Sequence, residues 1–208
     1  LLTPNPRDES PAIEPDAGKR VLRRMLRLSI IALSLMVALS ALTIAIAANR
    51  TDQNPGPGVA LPPFTQTSPE AWINSAPLTT TELRGNVVLI DFWAFECWNC
   101  YRSFPWLNSL QEKFSSAAFA IVGIHAPEFE REKDLAMVKT KALEFELAHP
   151  IMLDNDFAFW RALGNRYWPA FYLVDKRGLV RSVFVGETHA GDSQARAIEA
   201  AITDLLSE

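Results

Sequence analysis

Cys97 and Cys100 are the only cysteines in the chain, and Trp98 and Asn99 alone separate them. Two thiols at this spacing can do one of three things. They can exchange with a disulfide, hold a soft metal, or close a small structural bridge. A thiol attacks a disulfide only as the thiolate, and an ordinary cysteine ionises at about pH 8.5. A helix N-terminus favours that anion, because its first N–H groups are unpaired and its macrodipole is positive. A bridge over so short a loop adds little entropic stability. Two cysteines and three histidines without ligand spacing do not make a tetrahedral zinc site, so no metal is expected.

The surrounding elements must place the pair for exchange. The run Val87–Trp93 is apolar on both faces, as expected of a central strand covered on each side. The pair follows it directly and opens a helix predicted over 97–115, with Pro105 inside it. Cys97 then sits at the helix start as nucleophile, and Cys100, one turn on, resolves the mixed disulfide. Asp91 lies on the strand, where desolvation would keep its carboxyl protonated and available to carry a proton for Cys100. Further strands are predicted at 119–124, 150–153, 170–174 and 179–185. Helices are predicted at 130–148, at 156–163 with Asp156 as N-cap, and at 193–206. The order describes an α/β sandwich with one antiparallel hairpin.

Upstream, residues 1–27 form a polar, proline-containing and then basic tail ending in Arg23, Arg24 and Arg27. Residues 28–48 carry no charge over 21 positions. As a helix they would be about 31 Å long, close to the hydrocarbon thickness of a bilayer. The basic flank puts the N-terminus inside and the remainder outside. The rival reading is a cleaved signal peptide, with Ala45-Ile46-Ala47 as its site. Residues 49–69, with Pro55-Gly56-Pro57-Gly58 and Pro62-Pro63, have linker composition and lead to a domain at 70–208. The net charge of −4 gives no basic surface for nucleic acid, and 49% hydrophobic residues are enough for a core.

The segment Asp91-Phe92-Trp93-Ala94-Phe95-Glu96-Cys97-Trp98-Asn99-Cys100, followed by Pro105, resembles the active-site segment of the thioredoxin superfamily. Trp168-Pro169-Ala170-Phe171 resembles the segment that carries its cis-proline, with Pro169 in that place. Trp72-Ile73-Asn74-Ser75-Ala76-Pro77, Gly123-Ile124-His125-Ala126-Pro127-Glu128-Phe129-Glu130 and Leu153-Asp154-Asn155-Asp156 are closer to the exported TlpA-like proteins, particularly the DipZ-like branch. The resemblance implies a thioredoxin-like three-layer α/β/α sandwich with a helix-strand insert around 127–157, preceded by one N-terminal transmembrane helix. It implies catalytic roles for Cys97, Cys100, Asp91 and Pro169, and no cofactor beyond the Cys97–Cys100 disulfide. Trp98, Tyr167 and Trp168 are candidate substrate contacts. Glu96 is either a proton relay or a surface residue. His125, Glu128, Glu130 and Glu187 read as structural or solvated. Trp98-Asn99 replaces the Gly-Pro of plain thioredoxin, so the redox potential does not carry over.

The expected function is a membrane-anchored extracytoplasmic thiol:disulfide oxidoreductase of the bacterial inner membrane, its catalytic domain on the periplasmic side. It would reduce disulfides of exported proteins and take electrons from a membrane thiol carrier of the DsbD or CcdA type. The alternatives are a disulfide oxidase or isomerase of the same fold, a thiol peroxidase, and a module that binds copper or a partner. No peroxidatic Thr/Ser-x-x-Cys stands at the usual place, and no Met-rich or His-rich segment supports copper.

Overall fold

Seven strands form one sheet in the order β1-β7-β6-β3-β4-β5-β2. The computed structural model describes residues 58–208. The expected tail, membrane span and first half of the linker lie outside them. Among the described residues no helix is long and apolar enough to cross a membrane.

The strands are β1 (Val59–Ala60), β2 (Trp72–Ile73), β3 (Val87–Trp93), β4 (Phe119–His125), β5 (Ile151–Leu153), β6 (Ala170–Val174) and β7 (Leu179–Val185). The helices are α1 (Trp98–Lys113), α2 (Leu135–Glu144), α3 (Ala158–Ala162) and α4 (Ser193–Ser207). Every residue of β3 is buried. Its neighbours explain this: β3 pairs parallel with β4 and antiparallel with β6, so no edge is left open. The alternation of side chains along β3 then feeds two cores. Val87, Leu89 and Trp93 face α1, α2 and α4. Val88, Ile90 and Phe92 face α3 and the N-terminal segment. Each such aliphatic or aromatic side chain contributes roughly 1.5–3 kcal/mol on burial. This is the thioredoxin-like α/β arrangement.

Three local expectations need correction. Residues 58–69 are part of the fold: β1 pairs with β7, and Leu61 and Phe64 are buried in the second core. The helix expected at 130–148 is a 3₁₀ turn at Glu130–Lys133 followed by α2. The break falls at Asp134, whose carboxylate accepts from the amides of Ala136 and Met137 and so starts a new helix. At α3 the stronger cap is Asp154, which accepts from Phe159 N at 3.0 Å and Trp160 N at 2.7 Å. Asp156 reaches only Ala158 N, at 3.2 Å.

Candidate active site

The sheet delivers Cys97 by ending β3 at Trp93 and starting α1 at Trp98, with a four-residue turn between. Cys97 is the N-cap of α1, and its Sγ accepts from the amide of Cys100 at 3.2 Å. No acidic residue lies in the first turn of α1, so the dipole there is not opposed from within the helix. The two cysteines form a disulfide. Cys97 is 6% exposed and Cys100 1%. Cys97 is thus the more exposed member of the pair.

Asp91 is buried on β3, two residues before Trp93 and so on the same face of the strand. Neither carboxyl oxygen has a hydrogen-bond partner among the described residues. Burial alone pushes its pKa up to about 8. The carboxyl is thus mostly neutral at pH 7: it can give a proton in that form and take one only once ionised.

The Trp168–Pro169 peptide is cis, as the resemblance implies. Its neighbourhood is fastened at both sides. The indole of Trp168 donates to Ala126 O at 3.0 Å, and Gly186 N donates to Pro169 O at 3.0 Å. Ala126 N in turn donates to Trp93 O, which ties this segment to the end of β3. Trp168 packs half-buried against the core that holds both cysteines, while Tyr167 is 53% exposed. Trp98 is 61% exposed and stands edge-on to Tyr101 at 4.9 Å. Trp98 and Tyr167 therefore present apolar rings to solvent, and Trp168 serves as a wall.

Glu96 is held by Arg131 through two charge-assisted hydrogen bonds. Those bonds lower its pKa, so it stays ionised, which makes it a poor proton relay near neutral pH. Glu187 is paired with Arg102 at 2.8 Å, and with His189. His125 lies in the core between Trp93, edge-on at 4.7 Å, and Phe95, stacked at 5.8 Å. Burial lowers its pKa to about 3, so the ring is neutral. That is a structural setting.

Sequence reasoning passed over Glu132. It is fully buried, and its carboxylate accepts from the amides of Glu96, Glu128 and Phe129. It sits among Glu130, Arg131 and Lys133, where a solvated charged face is the ordinary expectation. Only its place three residues after Phe129, in the segment that follows His125-Ala126-Pro127, gave a signal.

The redoxin family model matches residues 57–202. The chain belongs to the redoxin family. The thiol-disulfide oxidoreductase YkuV of Bacillus subtilis is 32% identical over 143 residues, covering 68% of this chain and 92% of that protein. Protein DipZ of Mycobacterium tuberculosis is 41% identical over 119 residues, which is 56% of this chain and 17% of DipZ. The chain therefore matches less than a fifth of that relative's length. A solved thioredoxin-like protein in its oxidised form is 29% identical, with a TM-score of 0.60 over 72% of this chain and 96% of that one. This redoxin is similar along most of its described length to the thiol-disulfide oxidoreductase YkuV, and over a shorter stretch to DipZ.

Proposed function

We propose that this redoxin is a membrane-anchored reductant acting outside the cytoplasm. It would reduce disulfides in exported proteins and draw electrons from a membrane thiol carrier of the DsbD or CcdA type. The observation that carries this reading is the setting of Cys97, the more exposed cysteine of the pair, at a helix N-cap beside the exposed Trp98. Trp98 and Tyr167 suit an apolar stretch of an unfolded or partly folded chain. The uncharged segment 28–48 and the basic residues before it support the anchor and its orientation.

In exchange, the Cys97 thiolate bonds to one sulfur of the substrate disulfide and releases the other as a thiolate. Cys100 then loses its proton, to water or to Asp91 in its minor ionised form, and attacks Cys97. The substrate leaves reduced, and the Cys97–Cys100 disulfide remains for the donor to reduce. In cells, Cys100→Ser should hold substrates on Cys97 as mixed disulfides, and Cys97→Ser should hold none. A redox-buffer titration followed by tryptophan fluorescence decides the direction. A potential near that of strong oxidants, about −120 mV, would overturn the reductant reading in favour of an oxidase or isomerase.

A further inference from the structure

We propose that Glu132 is a positioning residue that sets how readily Cys97 ionises, and through it the redox poise of the pair. Its carboxylate is fully buried yet well supplied with donors. Oε1 accepts from Glu96 N at 2.8 Å, and Oε2 from Glu128 N at 2.5 Å and Phe129 N at 2.7 Å. A buried carboxylate without such donors would be very costly. Three donating amides suit the acceptor-only carboxylate form. Two of those amides belong to the segment after β4, and the third belongs to the residue directly before the nucleophile. The side chain therefore locks residues 128–132 onto the active-site turn. It also fixes the exposed ring of Phe129, over which Arg131 lies at 5.0 Å.

The lock leaves a negative charge beside Cys97, where it opposes the positive end of α1. Other groups bear on this sulfur. From the turn and the 3₁₀ segment come Glu96 and Arg131, which neutralise each other, and Glu128. Lys141 of α2 acts on Glu96. From α1 and the segment after β7 come Arg102 and Glu187, paired with each other. Asp91 of β3 and His125 of β4 are neutral at pH 7. The ion pairs are exposed and screened by solvent, whereas Glu132 is buried and is screened least. The reduced pair forms from the disulfide by gain of two electrons and two protons, and above the thiol's ionisation one of those protons is lost again. Whatever disfavours the thiolate then disfavours the reduced state and makes the pair more reducing. This deepens the reductant reading and rests on it for its biological sense.

The test uses the full chain in a Cys100→Ser background, so that Cys97 alone titrates, followed by ultraviolet thiolate absorbance. Glu132→Gln should lower the ionisation pH of Cys97 by about one unit, a tenfold larger thiolate fraction below that pH. With both cysteines restored, the exchange equilibrium at pH 9 should move up to about tenfold toward the reduced pair, roughly 30 mV for two electrons. Glu132→Asp keeps the charge while disturbing the same bonds, and should ionise as the parent does. Should the Gln variant not fold, Glu132→Ser, which leaves room for water at the three amides, makes the same comparison. If Gln or Ser lowers stability while Cys97 ionises at the parent pH, Glu132 is only a clamp and the inference fails. It fails equally if Asp shifts the titration as far as Gln. The parent's own potential tests the reductant reading separately, whichever way the variants move.

Discussion

Asp91→Asn should change the pH dependence of stability more than any other single substitution in this fold. The carboxyl is completely buried with no hydrogen-bond partner among the described residues, and its pKa rises to about 8. The unfolded chain releases this proton near pH 4, whereas the folded domain keeps it to about pH 8. Between those limits the folded state binds more protons, so stability falls as pH rises through the window and levels off above it. At about 1.36 kcal/mol per pKa unit, the part of the window between pH 5 and pH 8 is worth roughly 4 kcal/mol. That is a large fraction of the roughly 5–15 kcal/mol by which domains are stable. Asparagine has the same shape and no charge, but leaves an amide without a partner at a cost of about 1–3 kcal/mol. The oxidised variant should therefore be no more stable than the parent at pH 5. At pH 9 it should exceed the parent, with the difference between the two changing by about 4 kcal/mol across that range. Urea unfolding of both proteins at pH 5, 7 and 9 measures this, because all other titrating groups are shared and cancel. A parent-to-variant difference that stays constant with pH would refute the reasoning and place water or a counter-charge at the carboxyl.

Two further substitutions probe the same face of the sheet. Gly123 lies opposite Asp91 in the β3–β4 register, and a Cβ there would meet His149 Nε2, Ile151 Cγ1 and Trp93 Nε1, each at 3.1 Å. All three side chains are buried and have little room to yield, so Gly123→Ala should cost about 1–3 kcal/mol in urea unfolding; an unchanged midpoint would show a looser core. His149 is buried neutral, its pKa lowered to about 4 by desolvation. Its stability contribution is full above pH 6.5 and is lost as pH falls, because the unfolded chain gains the proton first. Relative to His149→Asn, the parent should lose about 2 kcal/mol between pH 7 and pH 5, and equal losses in both proteins would refute the assignment.

Residues whose neighbours in sequence are also their partners in space were legible. The apolar run of β3, the cysteines after it and the Asp175–Gly178 turn between β6 and β7 are local patterns, and each stands where expected. The cis-proline came through resemblance, not through any local rule. What escaped reading depends on distant partners. β1 and β2 are two residues each, too short to show alternation, and exist only because β7 and β5 offer them an edge. Asp134 and Asp154 were hidden because an aspartate within a charged or polar stretch does not announce which amides it will cap. Glu132 is the strongest case: one of its three donors lies 36 residues earlier in the chain, so its burial is a property of the fold.

The same distinction separates two layers of function. Trp98 and Tyr167 are exposed, so the fold would tolerate other side chains there and they are free to select substrates. Asp91 and Glu132 are both buried, and under the proposed mechanism they act on Cys100 and Cys97 in different ways. One is a neutral acid without a hydrogen-bond partner among the described residues, able to change its protonation. The other is a carboxylate saturated with amides, which fixes a charge in place. A redoxin could thus change clients by altering its rim and keep its chemistry. A change at either buried acid would alter the exchange itself, whatever the substrate.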